Sequence, residues 1–103
     1  SVHVRYLAGL TSLLGLSPES PPPTDRHAFK LETGEYELHL EGSAGQLSPG
    51  ATRTFFGLVQ GQDVQVTGSE RRELVLGLVR YIQIHLSGER EIKSYEVLEA
   101  IFQ

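Results

Sequence analysis

The chain contains no cysteine, and none of its apolar runs approaches the length of a membrane-spanning helix. Without cysteine, neither a disulfide nor a thiolate metal site can form. A helix that crosses a bilayer needs about 20 consecutive apolar residues, and the start of the chain lacks the small-residue cleavage pattern of a signal peptide. We therefore expect a domain with no disulfide, no membrane contact and no secretory leader.

Motifs that carry catalysis or metal binding are also missing. The histidines form neither an i,i+4 pair nor a His-Glu-x-x-His pattern, so a helical zinc site is not supported. No Gly-rich phosphate loop and no nucleophile-elbow serine occurs in the sequence. We predict that the domain is not an enzyme and uses no metal or cofactor. His85, on an apolar helix, is interpreted as a core histidine bonded to backbone rather than as a base.

The charge is concentrated in one part of the chain. The 103 residues carry a net charge of −4 and are 39% hydrophobic, as in one ordinary domain. Residues 19–41 hold six acidic against two basic side chains, which accounts for −4. An acidic domain gains little from counterion release on phosphates, so we do not expect strong binding of nucleic acid by this domain alone. The acidic region is interpreted as a solvated hairpin.

The longest element predicted is a helix over residues 69–88, apolar around most of its circumference and therefore central to the domain. Ser69 is the expected N-cap, with Thr67 as a competitor, and Gly88 is the expected end. Gly77, in its middle, costs about 1 kcal/mol relative to Ala. We interpret it as a place where the backbone of another helix approaches closely.

Three further helices and one hairpin complete the prediction. A first helix covers residues 2–14 and ends at Gly15, a second begins at Ser48-Pro49 and ends at Gly61, and a last one begins at Ser94. Residues 17–25 are proline-rich and are expected to form a stiff surface loop, the alternative being a ligand for a proline-recognising domain.

Strict alternation over residues 28–40 predicts a β-hairpin that turns near Gly34. Its core-facing side chains are expected to be Phe29, Leu31, Tyr36, Leu38 and Leu40. The predicted fold is a single domain over residues 1–103, mainly α. It is a small helical bundle of about four helices with one β-hairpin insertion.

Four arginines are the candidate binding residues. Arg72 and Arg80 are eight positions apart and share one side of the long helix, Arg71 is adjacent, and Arg5 lies on the first helix. Arginines at the rim of an apolar groove suit an acidic peptide or its C-terminal carboxylate. The alternative is a solvated helix face on which Glu70 and Glu73 are their partners.

Five segments, in order, resemble the C-terminal region of the DNA repair protein family RecO. The segments are residues 6–18 (YLAGLTSLLGLSP), 29–36 (FKLETGEY), 47–49 (LSP), 78–86 (LVRYIQIHL) and 91–98 (EIKSYEVL). They cover nearly the whole chain. The chain is similar to a RecO C-terminal helical domain without the OB-fold domain that precedes it in the family.

The resemblance implies a bacterial cytoplasmic, nucleoid-associated recombination mediator. Its expected partners are the acidic C-terminal tail of single-stranded DNA-binding protein and a RecR-type protein. Together with these it anneals strands and loads RecA, and it contacts single-stranded DNA mainly through the absent OB-fold. Many family members hold zinc with four cysteines around the hairpin, but here the corresponding residues 21–27 contain none. The alternative function is a purely structural packing or dimerisation module, which would expose an apolar patch around the first or last helix.

Overall fold

The structure is a computed structural model that describes residues 2–43 and 45–86. Its elements in chain order are α1 (Val2–Leu13), β1 (His27–Phe29), β2 (Tyr36–Leu38), α2 (Pro49–Val59) and α3 (Gly68–His85). The described part is small and mainly α, with three helices rather than the predicted four. The last predicted helix, from Ser94, lies outside the described residues.

The first helix ends as its sequence predicts. Gly15 adopts a left-handed conformation with φ of 73°, which costs little without a Cβ atom. Its N–H donates to Ser12 C=O at 3.1 Å, and Leu16 N–H donates to Thr11 C=O at 2.8 Å. These are the two bonds of a Schellman cap, and Leu16 packs against the core as such a cap favours.

The second helix confirms the predicted start and end. Ser48 is its N-cap, its Oγ accepts from Ala51 N–H at 3.2 Å, and Pro49 occupies the first helical position. Gly61, one residue beyond the C-cap Gln60, has φ of 75°. The segment after it has no regular secondary structure, and Val64 and Val66 pack against the core.

The third helix differs from its prediction at both ends. Its N-cap is Thr67 and not Ser69, because Glu70 stands three positions after Thr67 and completes a capping box. Glu70 N–H donates to Thr67 Oγ1 at 3.1 Å, and Thr67 N–H donates to the Glu70 carboxylate at 3.2 Å. The helix ends at His85, before the predicted Gly88, which lies outside the described residues. Leu86 turns to an extended conformation and is buried.

The hairpin contains a third extended segment that the prediction did not include. β1 and β2 pair antiparallel with Phe29 opposite Tyr36, and Gly34 in the turn has φ of 76°, as predicted. On the other side of β1, Leu31 N–H donates to Gly45 C=O at 2.9 Å, and Leu47 N–H donates to Phe29 C=O at 3.0 Å. β1 is therefore the central strand, and the chain crosses over after β2 to reach its far side.

Two of the five predicted core residues of the hairpin are wrong. Phe29 and Leu31 are buried and Tyr36 is half-buried, but Leu38 is 62% and Leu40 is 67% exposed. The reason is the position of the strands: β1 packs against α2, whereas β2 is at the outer edge. Alternation determines which way a side chain points, and it does not guarantee that another element covers it.

Phe29 lies at the centre of the core. Its ring centroid is 5.3 Å from that of Phe55, 5.0 Å from that of Tyr81 and 6.0 Å from that of Tyr36, all in edge-to-face arrangements. Its N–H donates to the buried Thr52 Oγ1 at 2.9 Å. This aromatic cluster joins α2, α3 and the hairpin around one residue.

Among the helices of the described residues, none has the length and apolarity needed to cross a bilayer.

Candidate partner-binding surface on the third helix

One side of α3 is fixed in the core. Leu74 and Leu78 are fully buried, and Tyr81 and Ile82 are each 3% exposed. Tyr81 lies among these residues, and its hydroxyl donates to Leu16 C=O at 2.6 Å, which ties α3 to the end of α1. Burial raises the pKa of Tyr81 above its ordinary value, so the phenol remains a neutral donor at physiological pH.

A second side of α3 rests on the segment between the hairpin and α2. A Cβ atom at Gly77 would lie 2.5 Å from Leu47 Cδ2, so the glycine accommodates a buried leucine side chain. The predicted close approach at Gly77 is therefore real, but the neighbour is Leu47 and not the backbone of another helix. Glu73 and Gly77, both on this side of α3, are half-buried for this reason.

The acidic residues of α3 are bonded to α2 and its flanks rather than to the arginines. The Glu73 carboxylate accepts from Ser48 N–H at 2.5 Å and from Ser48 Oγ at 2.9 Å. The Glu70 carboxylate accepts from Thr54 Oγ1 at 3.1 Å, in addition to its capping bond. Within residues 2–43 and 45–86, neither carboxylate forms an ion pair with an arginine. The two acids position α2, which leaves the arginines of α3 available.

The remaining side of α3 is exposed and carries an arginine stripe, defined here as Arg72, Leu76 and Arg80. The three residues follow one another at i,i+4 spacing, so they lie on successive turns of one side. Both arginines are exposed and Leu76 is 59% exposed. Val79, adjacent to the stripe, is half-buried against the core. The stripe therefore presents two cations and one apolar side chain on a helix whose opposite side is packed in the core.

The structure separates the four predicted arginines. Arg72 and Arg80 lie on one side, as expected, and Arg71 is exposed in the first turns but is rotated by about 100° from Arg72. Arg5 lies on α1, where its guanidinium is 3.4 Å from the exposed Asp63 carboxylate. The local arrangement thus brings together Arg72 and Arg80, with Arg71 close by in sequence, and places Arg5 on a different element.

Leu76 is a surface residue that helical periodicity does not reveal, because its apolar side chain fits the pattern of a buried helix. Its location four residues from each of two arginines was the available signal. The predicted bond of His85 to the backbone is confirmed: Nε2 lies 3.0 Å from Leu31 C=O, and the ring contacts Tyr81 with centroids 4.7 Å apart. His85 thereby joins the hairpin turn to α3.

In the part of the chain that the structure describes, no three or more His, Cys, Asp or Glu residues are grouped so that they could hold a metal ion.

The chain matches no family model, no curated protein and no solved structure. The arrangement on α3 can form charge-assisted hydrogen bonds to carboxylates from two arginines whose Cα atoms are about 12 Å apart along the helix axis.

Proposed function

We propose that this domain is a non-catalytic, protein-binding domain of a recombination and repair mediator of the RecO type. In this proposal it binds the acidic C-terminal tail of single-stranded DNA-binding protein and contacts a RecR-type protein. It thereby supports strand annealing and RecA loading in the bacterial cytoplasm, while contact with single-stranded DNA depends mainly on an OB-fold outside this chain. The order of the five sequence segments supports the family, and the arginine stripe supports the binding mode.

The observation that carries the proposal is the arginine stripe. An acidic tail needs cations that are not already bound to carboxylates, and Glu70 and Glu73 are bonded to α2 instead. Two guanidinium groups two turns apart can each donate hydrogen bonds to a tail carboxylate, and the exposed Leu76 between them can contact an apolar side chain of the tail.

The test is a titration of a fluorescent peptide with the tail sequence of single-stranded DNA-binding protein against the 103-residue chain. We expect binding at low salt that weakens as salt is added, because the contacts are ionic. An Arg72→Ala/Arg80→Ala variant should bind about tenfold more weakly or worse, since it loses two charge-assisted contacts.

The matched control removes two positive charges elsewhere, in an Arg26→Ala/Arg53→Ala variant. Both of these residues are exposed and neither lies on α3. The control should bind the peptide nearly as well as the parent chain. Absence of binding at low salt, or an equal loss in both double variants, would exclude the stripe as the binding site.

A second candidate function, a purely structural packing or dimerisation module, is favoured by one feature of α1. Tyr6 is 51% and Leu13 is 85% exposed, seven positions apart and therefore on one side of the helix. Gly9 lies between them, with open space around its Cβ position. This function predicts no binding of the peptide or of DNA, and a monomer–dimer equilibrium that Leu13→Ser weakens in sedimentation experiments.

A further inference from the structure

A second exposed apolar surface lies at the end of the hairpin and has the opposite charge to the arginine stripe. We call it the hairpin-end surface and define it by Leu38 and Leu40, on one face of segment 35–41, and by Glu35 and Glu41, which alternate with them and point to the other face. Both leucines are more than 60% exposed, at 62% and 67%, and both acids are exposed. In the described residues, neither Glu35 nor Glu41 forms an ion pair. This surface is not used by the function proposed above.

The backbone that carries the two leucines is held in place by one side chain. The Gln46 amide donates to Leu38 C=O at 3.3 Å and accepts from Leu40 N–H at 3.2 Å. The same amide donates to the Glu37 carboxylate, which also pairs with Lys30 at 3.7 Å. The leucines are thus presented by a fixed backbone, which reduces the entropy that a partner must overcome on binding.

The outer edge of β2 also offers one backbone donor, in addition to the Leu38 C=O and Leu40 N–H that are already bonded to Gln46. Lys30 N–H donates to Glu35 C=O at 2.8 Å, and His39 N–H donates to Arg26 C=O at 2.9 Å. Bonded pairs alternate with non-bonded pairs in an antiparallel ladder, so the intervening Leu38 N–H is directed away from β1. An extended segment lying along β2 can accept this hydrogen bond.

The charge determines the chemistry of the occupant. The surface belongs to residues 19–41, with six acidic against two basic side chains. Such a surface repels phosphate, which disfavours both nucleic acid and an anionic membrane. A second copy of this chain is disfavoured as well, because its net charge is −4 and its exposed arginine stripe lies on a helix, which cannot add to β2 as an extended segment. The complementary occupant is a basic protein segment.

We propose that the hairpin-end surface docks a basic, apolar-containing segment of a partner protein, which lies extended along β2. Its apolar side chains cover Leu38 and Leu40, and its Lys or Arg side chains pair with Glu35 and Glu41. Together with the arginine stripe, this gives the domain two docking surfaces of opposite charge preference. The second surface does not depend on the first or on the family assignment.

The experiment uses a fluorescent seven-residue peptide that alternates Lys and Val, titrated against the 103-residue chain by anisotropy. Two further peptides alternate Glu with Val and Lys with Ser, and they test the charge and the apolar requirement separately. We expect only the Lys/Val peptide to bind. A Leu38→Ser/Leu40→Ser variant should bind this peptide about tenfold more weakly or worse, because two apolar contacts are lost. NMR shifts should change most at the amides of residues 36–41.

The matched control is Ile84→Ser, which replaces an apolar side chain that is 41% exposed on α3 and belongs to neither proposed surface. It should leave binding of the Lys/Val peptide unchanged. Equal binding by the Leu38→Ser/Leu40→Ser variant, an equal loss in Ile84→Ser, or preference for the Glu/Val peptide would overturn the proposal. So would self-association of the parent chain that Leu38→Ser/Leu40→Ser abolishes, because the occupant would then be a second copy. Since no stripe residue is changed, failure here leaves the function proposed for α3 unaffected.

Discussion

The third helix and the hairpin are held in the fold in different ways. α3 buries Leu74, Leu78 and Tyr81 directly in the core and satisfies its backbone by its own helical bonds. The strands of the hairpin are only three residues each, and their backbone relies on side chains from elsewhere, such as Thr52 and Gln46. The helix is therefore secured mainly by apolar burial, whereas the hairpin combines the burial of Phe29 and Leu31 with hydrogen bonds from side chains outside its strands.

This difference matters for both proposed surfaces. The arginine stripe lies on the back of a helix whose front is buried, so substitutions on the stripe should leave the fold intact. The hairpin-end surface depends on a network in which one lost bond can displace the backbone. Three substitution experiments test this contrast.

The largest effect is expected where α3 enters the core. Leu78→Ala should lower the free energy of unfolding by about 2–5 kcal/mol, because Leu78 is fully buried and its removal leaves a cavity. Leu76→Ala, two positions away on the exposed stripe, should change it by about 0.5 kcal/mol or less. Urea denaturation followed by circular dichroism measures both. Similar losses in the two variants would contradict the described orientation of α3.

A smaller effect is expected at the attachment of the hairpin. Thr52→Val removes the oxygen that accepts from Phe29 N–H and leaves a buried donor unsatisfied, at a cost of about 1–3 kcal/mol. Thr11→Val is the matched control, because Thr11 is also buried but its hydroxyl only donates, at 2.7 Å, to the carbonyl of Ala8 within α1. Denaturant titrations should show the greater loss for Thr52→Val. If the two variants are equally stable, the hairpin does not depend on this bond.

The smallest effect is a pH dependence that arises in the hairpin. Burial raises the pKa of Tyr36 to about 12, from an ordinary value of 10.0. Below pH 10 the phenol is neutral in both states, so its contribution to stability is constant. Between about pH 10 and 12 it ionises only in the unfolded chain, so stability must fall as pH rises through this range.

Tyr36→Phe removes this titration, and its stability should fall less steeply between about pH 10 and 12 than that of the parent chain. Tyr6→Phe, which removes a hydroxyl from a tyrosine that is 51% exposed, is the control for the substitution itself. Thermal denaturation in a series of alkaline buffers gives both slopes. Identical slopes for the parent chain and Tyr36→Phe would show that Tyr36 ionises equally in the folded state.

Local signals predicted the helices well. Ser48-Pro49 and Gly15 mark a helix start and a helix end by the chemistry of single residues, and both appear where expected. The choice between Thr67 and Ser69 required one more residue, because only Thr67 has a glutamate at the third following position. Helix starts and ends depend on residues that are neighbours in the sequence, so they can be predicted from the sequence alone.

The exposure of apolar side chains was harder to predict from the sequence than the direction in which they point. Leu38, Leu40 and Leu76 lie at positions whose periodicity indicates burial, yet all three are exposed, because no other described element covers them. Covering depends on where distant segments pack, and alternation or helical spacing does not carry that information. For the candidate site, sequence spacing found Arg72 and Arg80. It could not show that Glu70 and Glu73 are bonded to α2, since those bonds join residues 16 or more positions apart.

The contact of Leu47 with Gly77 limits how α3 can move. If α3 slid along its axis by one turn, Glu73 or Tyr81 would replace Gly77 opposite Leu47, and neither leaves room for the leucine side chain. Translation of α3 along its axis is therefore blocked in both directions. Arg72 and Arg80 consequently keep their position along this axis relative to the hairpin. If one partner binds the arginine stripe and another binds the hairpin-end surface, the distance between the two bound partners would accordingly stay constant.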